Sequence, residues 1–168
     1  MKTLILVRHA KSSWTDPALP DRDRPLNDRG KRDAPKMARR LAKDGVKPDL
    51  ILSSPAKRAR TTARIIAKAL DCRPGDIQVN DRLYAVEAGE LLRVIRGLDD
   101  KLKRAMLVGH NPELTDLAHR LSNKVAYLPT CAIAVFAFDA KSWSSVGEEK
   151  PSSVTLYTPR QSPPPDAN

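Results

Sequence analysis

Apolar positions along this chain alternate between two patterns. Thr3 to Val7 is a continuous apolar run, as expected of a strand buried on both faces. A polar stretch rich in proline and aspartate follows from Ser12 to Asp28. Ala34, Met37, Ala38, Leu41 and Ala42 then recur at helical spacing, with Arg32, Lys36, Arg39, Arg40 and Lys43 opposite them. Asn27 or Asp28 is placed to cap this helix and Gly45 to end it. Asp49 to Leu52 reads as a second strand. Ser54 as N-cap and Pro55 at the first position would open a helix whose apolar face is Ala59, Thr62/Ala63, Ile66, Ala67 and Leu70.

Beyond the turn Arg73-Pro74-Gly75-Asp76, the alternation continues. Ile77 to Val79 reads as a strand, Leu91 to Leu98 as a helix, and Ala105 to Val108 as a strand. Asn111-Pro112 opens a fourth helix containing Leu114, Leu117, Ala118 and Leu121. Cys131 to Phe138 and Ser153 to Tyr157 are rich in β-formers and read as two strands pairing through a turn near Ala140 to Glu149. This order predicts an α/β three-layer sandwich, a mixed and mostly parallel sheet with helices on both faces. One domain is expected over residues 1–158, followed by a disordered Pro-rich tail over 159–168.

Composition narrows the picture. At 168 residues the chain is long enough to bury a sizeable core, and with 4% aromatics that core should be mainly Leu, Ile, Val and Ala. Two distant cysteines, Cys72 and Cys131, make no disulfide framework and read as reduced thiols of a cytoplasmic protein. The first apolar run is too short for a signal peptide and is interrupted by Arg8-His9. No stretch is long enough to cross a bilayer, so no membrane partner is expected.

The net charge of +10 is localised. Arg29 to Lys68 holds 13 Lys/Arg against 3 Asp/Glu, while the rest of the chain carries 17 of each. Solvated helix faces account for most of these side chains. A field that attracts phosphorylated or acidic partners is the sharper reading. Nucleic acid is not expected, because basic residues are not interleaved with aromatics and no zinc-finger or RRM signature occurs.

Three strand ends carry the candidate chemistry: Arg8-His9, then Ser53-Ser54-Pro55-Ala56-Lys57-Arg58, then His110-Asn111. Ligands of open α/β sheets bind at the carboxyl ends of the strands. Adjacent strands would unite two arginines with two of the three histidines, and would aim helix N-termini at an anion. Arginine grips phosphate through two parallel hydrogen bonds, and neutral imidazole offers a lone pair at cellular pH. His119 lies on the apolar helix and reads as structural. Metal ligation by His9 and His110 with Asp21 or Asp23 has no His-x-His, HExxH or Cys-pair support, and no metal or other cofactor is expected.

These segments resemble the histidine phosphatase superfamily, the phosphoglycerate mutase-like proteins. The family's Arg-His-Gly motif reads Arg8-His9-Ala10 here, followed by Ser12 and Trp14. Pro25-Leu26-Asn27-Asp28-Arg29-Gly30 is similar to its next signature. Ser54, Arg58, Ala59 and Thr62 match a Ser-x-x-x-Arg-Ala-x-x-Thr pattern, and Gly109-His110-Asn111 matches a Gly-His-Asn segment. The resemblance implies a phosphoglycerate mutase-like fold. It also implies that His9 becomes phosphorylated while Arg8, Arg58 and His110 bind the phosphoryl group. The short chain is most similar to the SixA branch, the phosphohistidine phosphatases. Ala85 stands where related chains often carry an acid, which leaves Glu87 as the nearest candidate general acid. Ser12 and Asn111 are candidates to line the substrate site or to cap.

The expectation is therefore a metal-independent phosphatase forming a phosphohistidine intermediate, monomeric, and acting on phosphohistidine in a protein domain. A small-molecule phosphomonoesterase on the same scaffold is a second reading. A non-catalytic module that binds acidic or phosphorylated partners is a third.

Overall fold

A computed structural model describes residues 1–160. Its elements are β1 (Lys2–Arg8), α1 (Asp28–Lys43), β2 (Leu50–Ser53), α2 (Lys57–Ala69), β3 (Ile77–Val79), α3 (Ala88–Arg96), β4 (Arg104–Gly109), α4 (Glu113–Leu121), β5 (Ile133–Phe138) and β6 (Ser153–Tyr157). They form the three-layer α/β sandwich that the alternation predicts. The sheet order is β3-β2-β4-β1-β5-β6. β3, β2, β4 and β1 pair in parallel, and β5 is antiparallel to both β1 and β6.

β1 lies inside the sheet, and alternation sends its side chains to two cores. Leu4 and Leu6 join α3, α4 and Trp143 on one face. Ile5 and Val7 join Met37 and Leu41 of α1 and Ile66 of α2 on the other. All four are fully buried, each worth about 1.5–3 kcal/mol. The strand that delivers Arg8 and His9 is thus anchored on both faces, and its register places Arg8 beside Gly109 of β4. The parallel pairing of β2 with β4 sets Ser53 beside Val108, so the three chemical segments emerge at one edge.

Some local expectations are corrected. Ala56, not Ser54, is the N-cap of α2, because the Ser54 hydroxyl is drawn toward His110. α3 ends at Arg96, before the expected Leu98, with Gly97 as its C-cap. β5 begins at Ile133 rather than Cys131, whose φ of 61° interrupts extended backbone. Both cysteines are free thiols. Pro159, expected to begin a disordered tail, is instead buried. Lys36 and Arg40 of α1 donate to the carbonyls of Pro159 and Thr158. The rest of that expected tail, residues 161–168, lies outside the described residues. Among the described residues, no helix is long and apolar enough to cross a membrane.

Candidate active site

The carboxyl ends of β1, β2 and β4 bring His9, Ser54 and His110 together. The rings of His9 and His110 lie 5.1 Å apart, tilted by 52°. His9 Nδ1 lies 2.8 Å from the Ala10 carbonyl. That oxygen can only accept, so Nδ1 carries the proton and Nε2 keeps a free lone pair. Burial is the main cause that drives the His9 pKa down from 6.5 to about 3, with help from His110, Arg58 and Arg8. The ring is therefore neutral at physiological pH, the state a nucleophile needs.

Ala10 departs from the usual glycine without penalty. Its backbone avoids the left-handed region and its side chain is fully buried against the α1 and α2 face. Its N–H donates to Thr62 Oγ1 at 3.0 Å, and the same hydroxyl donates to the Arg58 carbonyl at 2.8 Å. The spacing of Arg58 and Thr62 thus ties the first turn of α2 to the residue after His9.

The Pro25–Gly30 motif holds the same loop from the other side. Asn27 N–H donates to the Lys11 carbonyl, and Asn27 Oδ1 accepts from Gly30 N at 2.9 Å. A Cβ on Gly30 would stand 2.2 Å from the Lys11 carbonyl oxygen. Only glycine lets α1 start this close to the loop.

Two donors at the site are buried without a hydrogen-bond partner among the described residues: Arg8 Nε and His110 Nδ1. Arg8 is otherwise engaged, donating to Tyr127 Oη at 2.9 Å and to the Leu128 carbonyl at 3.2 Å. His110 Nε2 lies 2.7 Å from Ser54 Oγ, which already accepts from Ala56 N–H. Among the described residues His110 Nε2 is the one acceptor within reach of the Ser54 O–H, so the hydroxyl donates to Nε2 and the His110 proton sits on Nδ1. Burial, then Arg58, lowers the His110 pKa to about 4, whereas Asp21 acts to raise it. An anion bound here would raise it further, because opposite charge favours the protonated ring. Buried donors without acceptors are rare and costly in folded proteins. A phosphoryl oxygen would satisfy both.

Arg58 is buried, and its guanidinium grips Asp21 twice, at the backbone carbonyl (2.6 Å) and at Oδ2 (2.9 Å). Asp21 lies in a 3₁₀ turn over Asp21–Asp23. Tyr84 also donates to Asp21 Oδ2, at 2.6 Å, and its ring meets His110 edge-on at 5.5 Å. The Tyr84 bond, then Arg58 and Arg24, hold the Asp21 carboxyl well below the usual carboxylate range. The sequence considered Asp21 only as a metal ligand, and gave no signal for Tyr84 or Tyr127. Their partners are remote in sequence and their residue types are unremarked by any motif.

The remaining candidates lie at the margin. Ser12 Oγ accepts from Arg24, which Trp14 covers with its ring at 3.2 Å. Asn111 donates to the Leu128 carbonyl and accepts from Thr115 N and Oγ1. Both side chains thus have partners within the protein, and each keeps one donor hydrogen not used in these bonds. Glu87 is exposed at the N-cap of α3. It shares a shallow cleft with Glu113 and Arg120. Glu113 is buried, and that burial raises its carboxyl pKa. His119 is exposed, with Nε2 donating to the Ala126 carbonyl. Among the described residues, no three His, Cys, Asp or Glu side chains cluster as a metal site requires.

Residues 4–106 match the model of the histidine phosphatase superfamily, branch 1. An uncharacterized chloroplastic protein of Arabidopsis thaliana is 34% identical over 150 residues, which span 84% of this chain and 69% of the relative. Phosphoserine phosphatase 1 of Hydrogenobacter thermophilus is 38% identical over 93 residues, 53% of this chain and 41% of that protein. Among solved structures, the protein of Agrobacterium tumefaciens assigned as the phosphohistidine phosphatase SixA superposes with a TM-score of 0.74. It is 32% identical, and the match covers 82% of this chain and 92% of that one. With His9 and His110 paired beside buried Arg58 at the carboxyl ends of the strands, these matches establish that the chain belongs to the histidine phosphatase superfamily, branch 1, and is a phosphatase.

Proposed function

We propose that this phosphatase works without a metal, through a phosphohistidine formed on His9, and dephosphorylates phosphohistidine in a protein. The observation that carries the reading is the pair of orphaned buried donors, Arg8 Nε and His110 Nδ1, beside a neutral His9. Arg8 and Arg58 supply the positive charge that a phosphoryl group needs, and His110 adds a donated N–H. Preorganised donors of this kind stabilise the charge of the transition state.

His9 Nε2 attacks phosphorus as the bond to the leaving atom breaks, and that atom keeps the electron pair. His9 Nδ1–H stays bonded to the Ala10 carbonyl throughout and fixes the ring for in-line attack. Water then attacks the phospho-His9, the P–N bond breaks, and its electrons return to Nε2. One water proton passes to the departing phosphate. An alkoxide leaving group would need a proton at the first step. Exposed Glu87 is the acid proposed for that case, whereas an imidazole leaves with less help. Similarity to SixA also supports the protein substrate.

A phosphomonoesterase of small molecules is the second reading, favoured by the similarity to phosphoserine phosphatase 1. Rapid quench with a ³²P-labelled phosphohistidine domain in EDTA decides. The expected result is an acid-labile, base-stable phosphoenzyme that His9→Asn abolishes. A phosphoenzyme that persists in His9→Asn, or turnover lost in EDTA, overturns the proposal. Faster turnover of phosphoserine than of the phosphohistidine domain favours the second reading.

A further inference from the structure

The Asp21 carboxylate is tied to the site through Arg58 and through Tyr84, which packs on His110, but it has no role in holding phosphate, since like charges repel. Arg24 donates to its Oδ1, while Arg58 and Tyr84 donate to its Oδ2. A carboxylate offers about four acceptor positions. One position on Oδ1 therefore remains, on a side chain that is 50% exposed. Arg58 and Tyr84 fix this carboxylate in place, and the Tyr84 ring meets His110 edge-on.

We propose that Asp21 is the specificity-determining residue for the leaving group: Oδ1 accepts the ring N–H of a departing imidazole and so favours phosphorylated imidazoles over phosphate esters. The inference deepens the phosphohistidine reading and rests on it. An N-phosphoimidazole is readily cleaved when its second nitrogen is protonated. The P–N bond then breaks with its electron pair going to the ring nitrogen, and neutral imidazole departs rather than its anion. An acceptor facing that N–H keeps the proton in place. The site already treats His9 this way, through the Ala10 carbonyl. Nucleophile and leaving group would then be two imidazoles, each held by an acceptor on its distal N–H, exchanging one phosphoryl group. An ester oxygen needs the reverse, a donated proton. Asp21, kept ionised by Tyr84 and two arginines, has none to give.

Steady-state kinetics on N-phosphoimidazole and 4-nitrophenyl phosphate test this, because nitrophenolate leaves without a proton. Asp21→Asn keeps one oxygen that can accept from Arg58 and Tyr84, while the charge and the second acceptor are replaced by an NH2 group that cannot accept. It should lower kcat on N-phosphoimidazole by about tenfold or more, as expected for a lost charge-assisted hydrogen bond. KM should be little changed and the aryl phosphate nearly unaffected. Asp21→Glu should recover part of the loss. Equal losses on both substrates would make Asp21 only a strut for Arg58 and overturn the inference. No loss on N-phosphoimidazole, or no turnover of it by the unaltered protein, overturns it as well. If the Asp21→Asn selectivity appears but a phosphohistidine-carrying domain is not dephosphorylated, the protein substrate fails and the role of Asp21 stands.

Discussion

Ser54 Oγ and His110 Nε2 lie 2.7 Å apart, although 56 residues separate them in sequence. The contact leaves the His110 proton on Nδ1, the orphaned donor of the pocket. Ser54→Ala frees the ring to adopt the other tautomer. A buried hydrogen bond of this kind is worth about 1 kcal/mol or somewhat more. We expect kcat/KM to fall roughly tenfold on any phosphoryl substrate, by the same conversion. Nitrogen-15 spectra should show His110 shifting toward the Nε2–H tautomer. Unchanged kinetics would mean that Ser54 is only a turn residue.

The two histidines also tie stability to pH. Burial lowers His9 to about 3 and His110 to about 4, from 6.5. As pH drops below 6.5 the unfolded chain takes up protons on both rings before the folded chain does. Stability is therefore full above 6.5 and is lost as pH falls toward the folded values. Urea midpoints measured between pH 7.5 and 4 should decline over this window. His9→Asn combined with His110→Asn should flatten the decline, by a difference on the order of 3 kcal/mol for each ring. A slope identical in the variant would refute the assignment of buried neutral rings.

Much of this site is legible in the sequence. Arg8, His9, Arg58 and His110 each follow an apolar strand pattern, and parallel strands in one sheet must deliver their ends to one edge. What escaped was whatever depends on long-range contact between ordinary residue types. Asp21 meets Tyr84 across 63 positions and Arg58 across 37, and no period links them. Ser54 has the local pattern of a helix cap, a hydroxyl before proline, while the partner that claims it, His110, follows another strand. Pro159 was assigned to the tail by composition, since the α1 cations that tether it are invisible in a Pro-rich segment.

Thr62 carries a double duty that sequence spacing only hinted at. Its hydroxyl accepts from Ala10 N–H and donates to the Arg58 carbonyl. Thr62→Val keeps the shape and leaves a buried N–H unpaired, a cost of about 1–3 kcal/mol. Thermal unfolding should register that loss. Activity should fall further than stability predicts, because the loop carrying His9 and the first turn of α2 lose their tie. Thr62→Ser should restore most of both. A valine variant with native activity would mean that the two segments are held by packing alone.

Glu87 separates the two substrate readings. It is exposed at the start of α3, and so is placed to protonate only a leaving group that projects out of the pocket. A departing imidazole keeps its own N–H and needs no such donor, so Glu87→Gln should change kcat on N-phosphoimidazole or a phosphohistidine domain by less than about twofold, the range of a neutral surface substitution. Alkyl phosphates such as phosphoserine provide the contrast. If the small-molecule reading holds, Glu87→Gln should slow them about a hundredfold, the lower end of general-acid contributions. Parallel measurements on both substrate types decide between the readings. A loss on the imidazole substrate alone would contradict both.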